Sequence, residues 1–346
     1  MSDGDDEQGV PEPPSPRQTF VLHGHPQAER TLLEAYRSAR LPHAWLIAGP
    51  SGIGKATLAY RMARFVLANP DPRAPDVVRA DSLHVAADYP AARRIAGQTH
   101  PDLLVLERTI NEKTGKLRQD IQVEDVRRTV TFFGSTAGEG GWRLAIVDTV
   151  DELNPEGANA LLKVLEEPPR RALLLLVNHS AARVLPTIRS RCRQLILRPL
   201  AAADVARAAA AAIGRSADDA SVTAAAAAAE GSVRRALAYL DRDALALRSG
   251  ILALLDRLPA VDRRGMHALG DRLYGTDPAV LDAFTDTVNA WLAARLRGDA
   301  ADPARLDRLA AAWEKVNAAA GDVEAYNLER KPFVFSVFDW LAEAVT

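Results

Sequence analysis

Cysteine is nearly absent from this 346-residue chain: a lone Cys192 excludes both an internal disulfide and a multi-cysteine zinc site. Long apolar runs are missing as well. Stretches such as Leu173–Val177 have the length of a buried strand, far short of a membrane span. Positive charge is not in excess. The 43 Lys and Arg residues against 45 Asp and Glu give a formal net charge of −2, so no general electrostatic drive toward nucleic acid exists, although a local basic patch is compatible with that balance. The N-terminus carries no charged-then-apolar signal pattern. Recognition-helix, zinc-finger and internal-repeat patterns are also lacking. These absences predict a cytosolic protein with no membrane association and argue against a stand-alone DNA-binding module.

What is present is globular: 48% hydrophobic and 25% charged residues, in a length sufficient for two or three domains. The first 18 residues are acidic and proline-rich with almost no large apolar groups, which predicts a disordered tail. Over residues 19–199 helical and strand patterns alternate, predicting an α/β domain on a mostly parallel sheet. Ala44–Ala48, Leu144–Val147 and Leu173–Val177 read as buried central strands, with Leu103–Leu106 near them, and Asn69–Arg79 reads as a loop. Composition then shifts to alanine. Ala201–Ile213 and Ser221–Ala229 read as helices of a small domain (200–246), with Gly231-Ser232 opening a further helix. Residues 247–346 read as an all-α domain with Trp291, Trp313 and Trp340 on amphipathic stretches and an aromatic cluster (Phe333, Phe335, Phe338, Trp340) near the end.

The strongest local motif is Gly49-Pro50-Ser51-Gly52-Ile53-Gly54-Lys55, between a strand and a helix expected at Ala56–Leu67. Glycines let backbone N–H groups curl around phosphates, the helix N-terminus adds a favourable field, and Lys55 reaches the terminal phosphates. A glycine-rich surface turn is the plainer alternative. The next residue, where a Ser or Thr hydroxyl holds Mg²⁺, is Ala56. Thr57 is no obvious substitute, since the next helical position is rotated by roughly 100°. A second motif, Leu144-Ala145-Ile146-Val147-Asp148, is an apolar strand ending in a carboxylate of the kind that holds Mg²⁺ in P-loop ATPases. Thr149 follows it, and a hydroxyl cannot act as a base at neutral pH. Asp151 and Glu152 read as ordinary helix-start acids. Asn178 and Arg234 stand where nucleotide sensors would be; a strand-capping Asn and a solvated helical Arg are the alternatives. In Ser190-Arg191-Cys192, Arg191 could serve as a finger at a neighbour's nucleotide, but spacing alone does not distinguish it from a surface arginine. Cys192 reads as a small structural thiol.

At this point the residues resemble a family. The run Asn154–Pro169, NPEGANALLKVLEEPP, closely resembles the segment after the Walker B strand in bacterial clamp-loader subunits. With Ser190-Arg191-Cys192 and the loop Gly49–Lys55 it is similar to the delta prime family of DNA polymerase III subunits, within the AAA+ ATPases. Ala325–Phe338 (AYNLERKPFVFSVF) and His43-Ala44-Trp45, read as a helix start, are similar too, so the resemblance covers most of Thr19–Thr346. It implies an AAA+ P-loop domain, a helical lid and an all-α collar that joins a hetero-pentameric ring with gamma/tau and delta subunits. Such a ring uses ATP to load the sliding clamp onto primed DNA during replication, as a cytoplasmic part of a nucleotidyltransferase complex; this chain would have no polymerase site of its own. By position, ATP or ADP would meet Gly49 to Lys55 with Ala56 and Thr57, Asp148 would be the Walker B aspartate, Asn178 and Arg234 the sensors, and Arg191 a finger acting in trans. Motor subunits keep Ser/Thr and Glu where this chain has Ala56 and Thr149. That departure favours a stator with little or no ATPase activity over the alternative, an active gamma/tau-like motor. Many members carry a four-cysteine zinc module after the P-loop helix. Asn69–His100 has no cysteine, and His84 and His100 alone make no site, so no zinc is expected.

Overall fold

The computed structural model describes residues 14–38, 40–110, 118, 120–134, 138, 141–179, 184–274, 278–298 and 302–346. The first 13 residues of the expected acidic tail lie outside the described residues. Two compact units result, residues 1–237 and 238–346.

The first unit is organised by five parallel strands: β1 (Ala44–Ala48), β2 (Leu103–Glu107), β3 (Arg143–Asp148), β4 (Ala172–Asn178) and β5 (Arg193–Ile196), in the order β2-β3-β4-β1-β5. Alternation of side chains along each strand divides the apolar residues between two cores. Trp45, Ile47, Leu144, Ile146, Leu173, Leu175 and Val177 face one, together with helices α1 (Pro26–Arg37) and α2 (Lys55–Ala68). Ala44, Leu46, Ala145, Val147, Leu174 and Leu176 face the other. Because both faces are covered, β4 is buried along its whole length, and its sequence is a continuous apolar run. Each fully buried leucine there contributes about 1.5–3 kcal/mol.

Between the strands lie α3 (Pro75–Arg79) and α4 (Pro90–Ala96), then α5 (Val123–Gly134), α6 (Pro155–Glu166) and α7 (Pro186–Arg191). The run NPEG acts as a helix start: Asn154 Oδ1 accepts the Gly157 N–H at 2.7 Å, Pro155 takes the first position and Glu156 the first turn. Pro168 and Pro169 prevent its continuation. Three alanine-rich or short helices follow: α8 (Ala202–Ile213), α9 (Ala220–Ala228) and α10 (Val233–Tyr239). Ser232 accepts the Arg235 N–H and caps α10, as its position predicts.

The expected α/β sheet fold is borne out; the structure adds a strand and the partners of two acids, and corrects two details. β5 is an edge strand whose pattern Arg-Gln-Leu-Ile buries only Leu195, so it carries no apolar run to announce it. The expected loop Asn69–Arg79 ends in α3, which Pro75 opens at its first turn. His43-Ala44-Trp45 leads into strand β1, not a helix. Asp151 and Glu152 lie in a 3₁₀ turn ahead of α6, where Asp151 Oδ1 accepts the His179 N–H at 3.0 Å and Glu152 pairs with Arg108 at 2.8 Å. Within the segment expected as a tail, the described residues make a turn, with Gln18 N–H donating to Ser15 O at 2.9 Å.

The second unit is helical among its described residues: α11 (Arg242–Leu255), α12 (Arg263–Arg272), α13 (Pro278–Gly298), α14 (Pro303–Tyr326) and α15 (Arg330–Val345). Phe284, Trp291, Phe333, Phe338 and Leu341 fill its core, with Phe335 and Trp340 partly buried against it. Trp313 stays exposed. No helix among the described residues is long and apolar enough to cross a membrane.

Candidate functional site

The loop after β1 curls back on itself and launches α2. Gly52 and Gly54 adopt φ of 76° and 93°, in the left-handed region that glycine enters without strain. The loop borders a cavity of about 590 Å³, whose walls include Ser51 to Thr57, Asp148, His179 and Arg234. Phe20, Val21 and Leu22 form part of its apolar side, with Ala208, Ala211 and Ala212 of α8 among the facing residues. A cavity of this size, apolar on one side and glycine-rich on the other, fits a nucleotide.

The loop's carbonyls are engaged within the chain. Lys55 is buried, and its ammonium donates to Gly49 O at 2.7 Å and to Pro50 O. Gly52 O accepts the Val233 N–H at 2.8 Å, so the start of α10 sits directly on the loop. A Cβ at position 52 would lie 2.3 Å from Ser232 Oγ and 2.7 Å from Arg234 Cβ, which leaves room only for glycine. Ile53 O lies 2.8 Å from His25 Nε2. A carbonyl can only accept, so that nitrogen carries the hydrogen.

Burial shapes the ionisable groups. Desolvation lowers Lys55 to about 8 despite the attraction of Asp148 and Asp151. Desolvation, with repulsion from Glu107 and Glu152, pushes Asp148 up to about 6, and Lys55 and Arg108 pull it back only in part. His179 is exposed as a residue, but partial desolvation of its ring and the nearby Lys55 hold it down to about 4, so it is neutral at physiological pH.

The residues singled out from sequence fall into three places. Ser51 to Thr57, Asp148 and Arg234 line the cavity, while Gly49 and Pro50 lie just before them and accept from Lys55 through their carbonyls. Asn178 ends β4 between two cavity-lining neighbours, fully buried, and its amide oxygen and nitrogen both lack a hydrogen-bond partner among the described residues. Arg191 is elsewhere, at the end of α7. Its Nη1 donates to Thr187 O at 3.0 Å and its Nη2 pairs with Glu166 at 2.7 Å. Cys192 is buried in the core, which raises its thiol to about 12 and leaves it inert.

Sequence reasoning missed the strap that closes the cavity. Two buried arginines of α2 hold it: Arg61 donates to Phe20 O, and Arg64 donates to Arg17 O and to Thr19 O at 3.0 Å, with its guanidinium 4.3 Å from the Phe20 ring centre. It missed His25 as well. The one available signal was a pair of arginines on the otherwise apolar face of α2.

Residues 24–201 match the family model described as DNA polymerase III, delta subunit, which covers just over half of the chain. The chain belongs to this family. Over 156 residues it is 38% identical to DNA polymerase III subunit delta' of Pseudomonas aeruginosa, a match covering 45% of this chain and 43% of that protein. Its counterpart in Escherichia coli K12 is 30% identical over 168 residues, covering 49% and 46%. DNA polymerase III subunit tau of Bacillus subtilis is 26% identical over 234 residues, covering 63% and 36%. The chain thus spans less than half the length of each of these relatives in the matched region. Among solved structures, a gamma subunit-related protein of Thermotoga maritima aligns over 91% of this chain and all of that one, with 17% identity and a TM-score of 0.44. The resemblance to delta prime subunits read from the residues is borne out by the family model and the named relatives.

Proposed function

We propose that this chain is the stator of a bacterial clamp loader: it joins gamma/tau and delta subunits in a five-membered ring, hydrolyses no ATP itself and supplies Arg191 to a neighbour's site. In this reading the ring loads the sliding clamp onto primed DNA in the cytoplasm. Helices α8 to α10 act as the lid on the phosphate loop, and the second unit serves as the collar. The phosphate loop holds ATP or ADP weakly. Asn178 and Arg234 sense it, and the orphaned amide of buried Asn178 is the kind of group a polar ligand would satisfy.

The observation that carries the reading is the pair of substitutions on an otherwise formed site. Asp148 would be the one carboxylate aimed at a Mg²⁺ ion, with Ala56 contributing no hydroxyl, and such an ion would supply charge neutralisation for the phosphates. Thr149, buried beside Asp148, stands where a water-activating carboxylate is needed. Loss of both groups removes metal positioning and the base together. Arg191 keeps everything a finger requires: a planar fork, partial exposure and a fixed base.

ATP hydrolysis by the isolated chain tests this directly. The expected rate is negligible. A turnover near one per second that disappears in Lys55→Ala would overturn the stator reading in favour of a motor, since ordinary enzymes turn over only about ten times per second.

A further inference from the structure

Helix α6 ends in an acid where the helix field disfavours one. The last carbonyls of a helix present partial negative charge, so a carboxylate there is unfavourable unless something pairs with it. Glu166 is the last residue of α6, and its carboxylate lies 2.7 Å from Nη2 of Arg191. The same guanidinium is held from a second direction, by Thr187 O at 3.0 Å from Nη1. Among the described residues, its Nε–H and one hydrogen on each terminal nitrogen are left for an anion.

Both supports are fixed to the core. The end of α6 is tied down because His43 Nε2–H donates to Leu165 O at 3.1 Å, and Leu165 itself is buried. On the other side, Ile188 within α7 and Cys192 just after it are buried in the same apolar cluster as Leu165. Arg191 is therefore suspended between two anchored points. Ser190 Oγ donates to the same Thr187 carbonyl at 3.1 Å, so the carbonyl that steadies the arginine is shared within the motif.

We propose that Glu166 is a positioning residue for Arg191, orienting its guanidinium toward the phosphates of a nucleotide bound by the neighbouring subunit. This rests on the trans role of Arg191 proposed above. The side chains are 36% and 48% exposed for arginine and glutamate, and ion pairs so exposed are weak. The carboxylate is accordingly a weak tether, which leaves the remaining N–H groups of the guanidinium for a phosphate. What the pair contributes is orientation, because an untethered arginine gives up more rotamer freedom when it docks.

The test uses the reconstituted ring with clamp, primed DNA and ATP, resolving kcat and KM for Glu166→Ala, Glu166→Gln, Arg191→Ala and the double variant Glu166→Ala/Arg191→Ala. Melting curves of the isolated chains check folding. Glu166→Ala is expected to lower the Arg191-dependent part of kcat about two- to fivefold with KM unchanged, the range an exposed pair supplies. Glu166→Gln, which keeps the acceptor oxygen, should retain more than half of that rate, and the double variant should match Arg191→Ala alone. If Arg191→Ala slows the ring but Glu166→Ala leaves the rate unchanged, raises it, or adds to the arginine variant independently, the positioning role is overturned and the trans role stands. If Arg191→Ala itself has no effect, both fall.

Discussion

Around the phosphate loop the backbone carbonyls and Lys55 are engaged within the chain: Lys55 on two carbonyls, Gly52 O on the Val233 amide, Ile53 O on His25. Arg191 stands half exposed at the end of a six-residue helix, on two tethers. The first region is a cavity beside a glycine-rich loop, with alanine at position 56 and threonine at position 149. The second presents a partly exposed guanidinium at the end of α7. Residues of the loop are bonded to the start of α10 and join β1 to α2, so changes there are expected to act mainly through stability. Arg191 carries little of the fold, and the effect of removing it belongs to whatever site it serves.

Substitutions should separate the two regions sharply. Arg191→Ala in the assembled complex is expected to slow hydrolysis at the site it serves by roughly 10³–10⁵, while total activity drops only by that site's share. Arg191→Lys should do nearly as much damage, because the planar fork is lost. In either variant the melting temperature of the isolated chain should move by less than about 4 °C.

Next in size is the packing around Gly231, between α9 and α10. Gly231 has φ of 85°, and a Cβ there would lie 2.5 Å from Pro199 Cβ and 2.6 Å from the Leu200 nitrogen. Since the backbone yields at a high cost, Gly231→Ala should destabilise the first unit by roughly 2–4 kcal/mol. A shift in the urea midpoint at constant slope would register it.

A smaller effect of opposite sign is expected at Asp148. Its pKa is raised from 3.8 to about 6, so its ionised form is disfavoured in the folded chain. The stability associated with the protonated form is complete below pH 3.8 and is lost as pH rises through about 6. In buffer free of nucleotide and divalent metal, Asp148→Asn should therefore stabilise the chain by about 1–3 kcal/mol at pH 7.5. The gain should vanish near pH 4. A variant no more stable than wild type at pH 7.5 would show that the carboxylate is better solvated than its surroundings indicate.

Much of the scaffold was legible in the sequence because burial on both faces turns β1, β3 and β4 into continuous apolar runs. The phosphate loop was legible for a related reason: glycines at 52 and 54 are where the chain must turn left-handed. What escaped were contacts between residues distant in the chain. β5 shows too little burial to leave a pattern, and the clasp of Arg61 and Arg64 on the Phe20 strap spans more than 40 residues. Asp151 and Glu152 looked like helix-start acids because their partners, the His179 amide and Arg108, lie on other elements. Arg191 could be named from its motif, but its pairing with Glu166 required α6 and α7 to be placed side by side.

One comparison bears most directly on the claim that this chain lends an arginine and uses no nucleotide chemistry of its own. The steady-state ATPase of the assembled ring should be measured with Lys55→Ala and with Arg191→Ala in this subunit, side by side, with assembly verified for each. The account predicts that Lys55→Ala changes the rate by less than about twofold, whereas Arg191→Ala removes the full contribution of one site. The reverse pattern, a large loss from Lys55→Ala and an unchanged rate from Arg191→Ala, would contradict it.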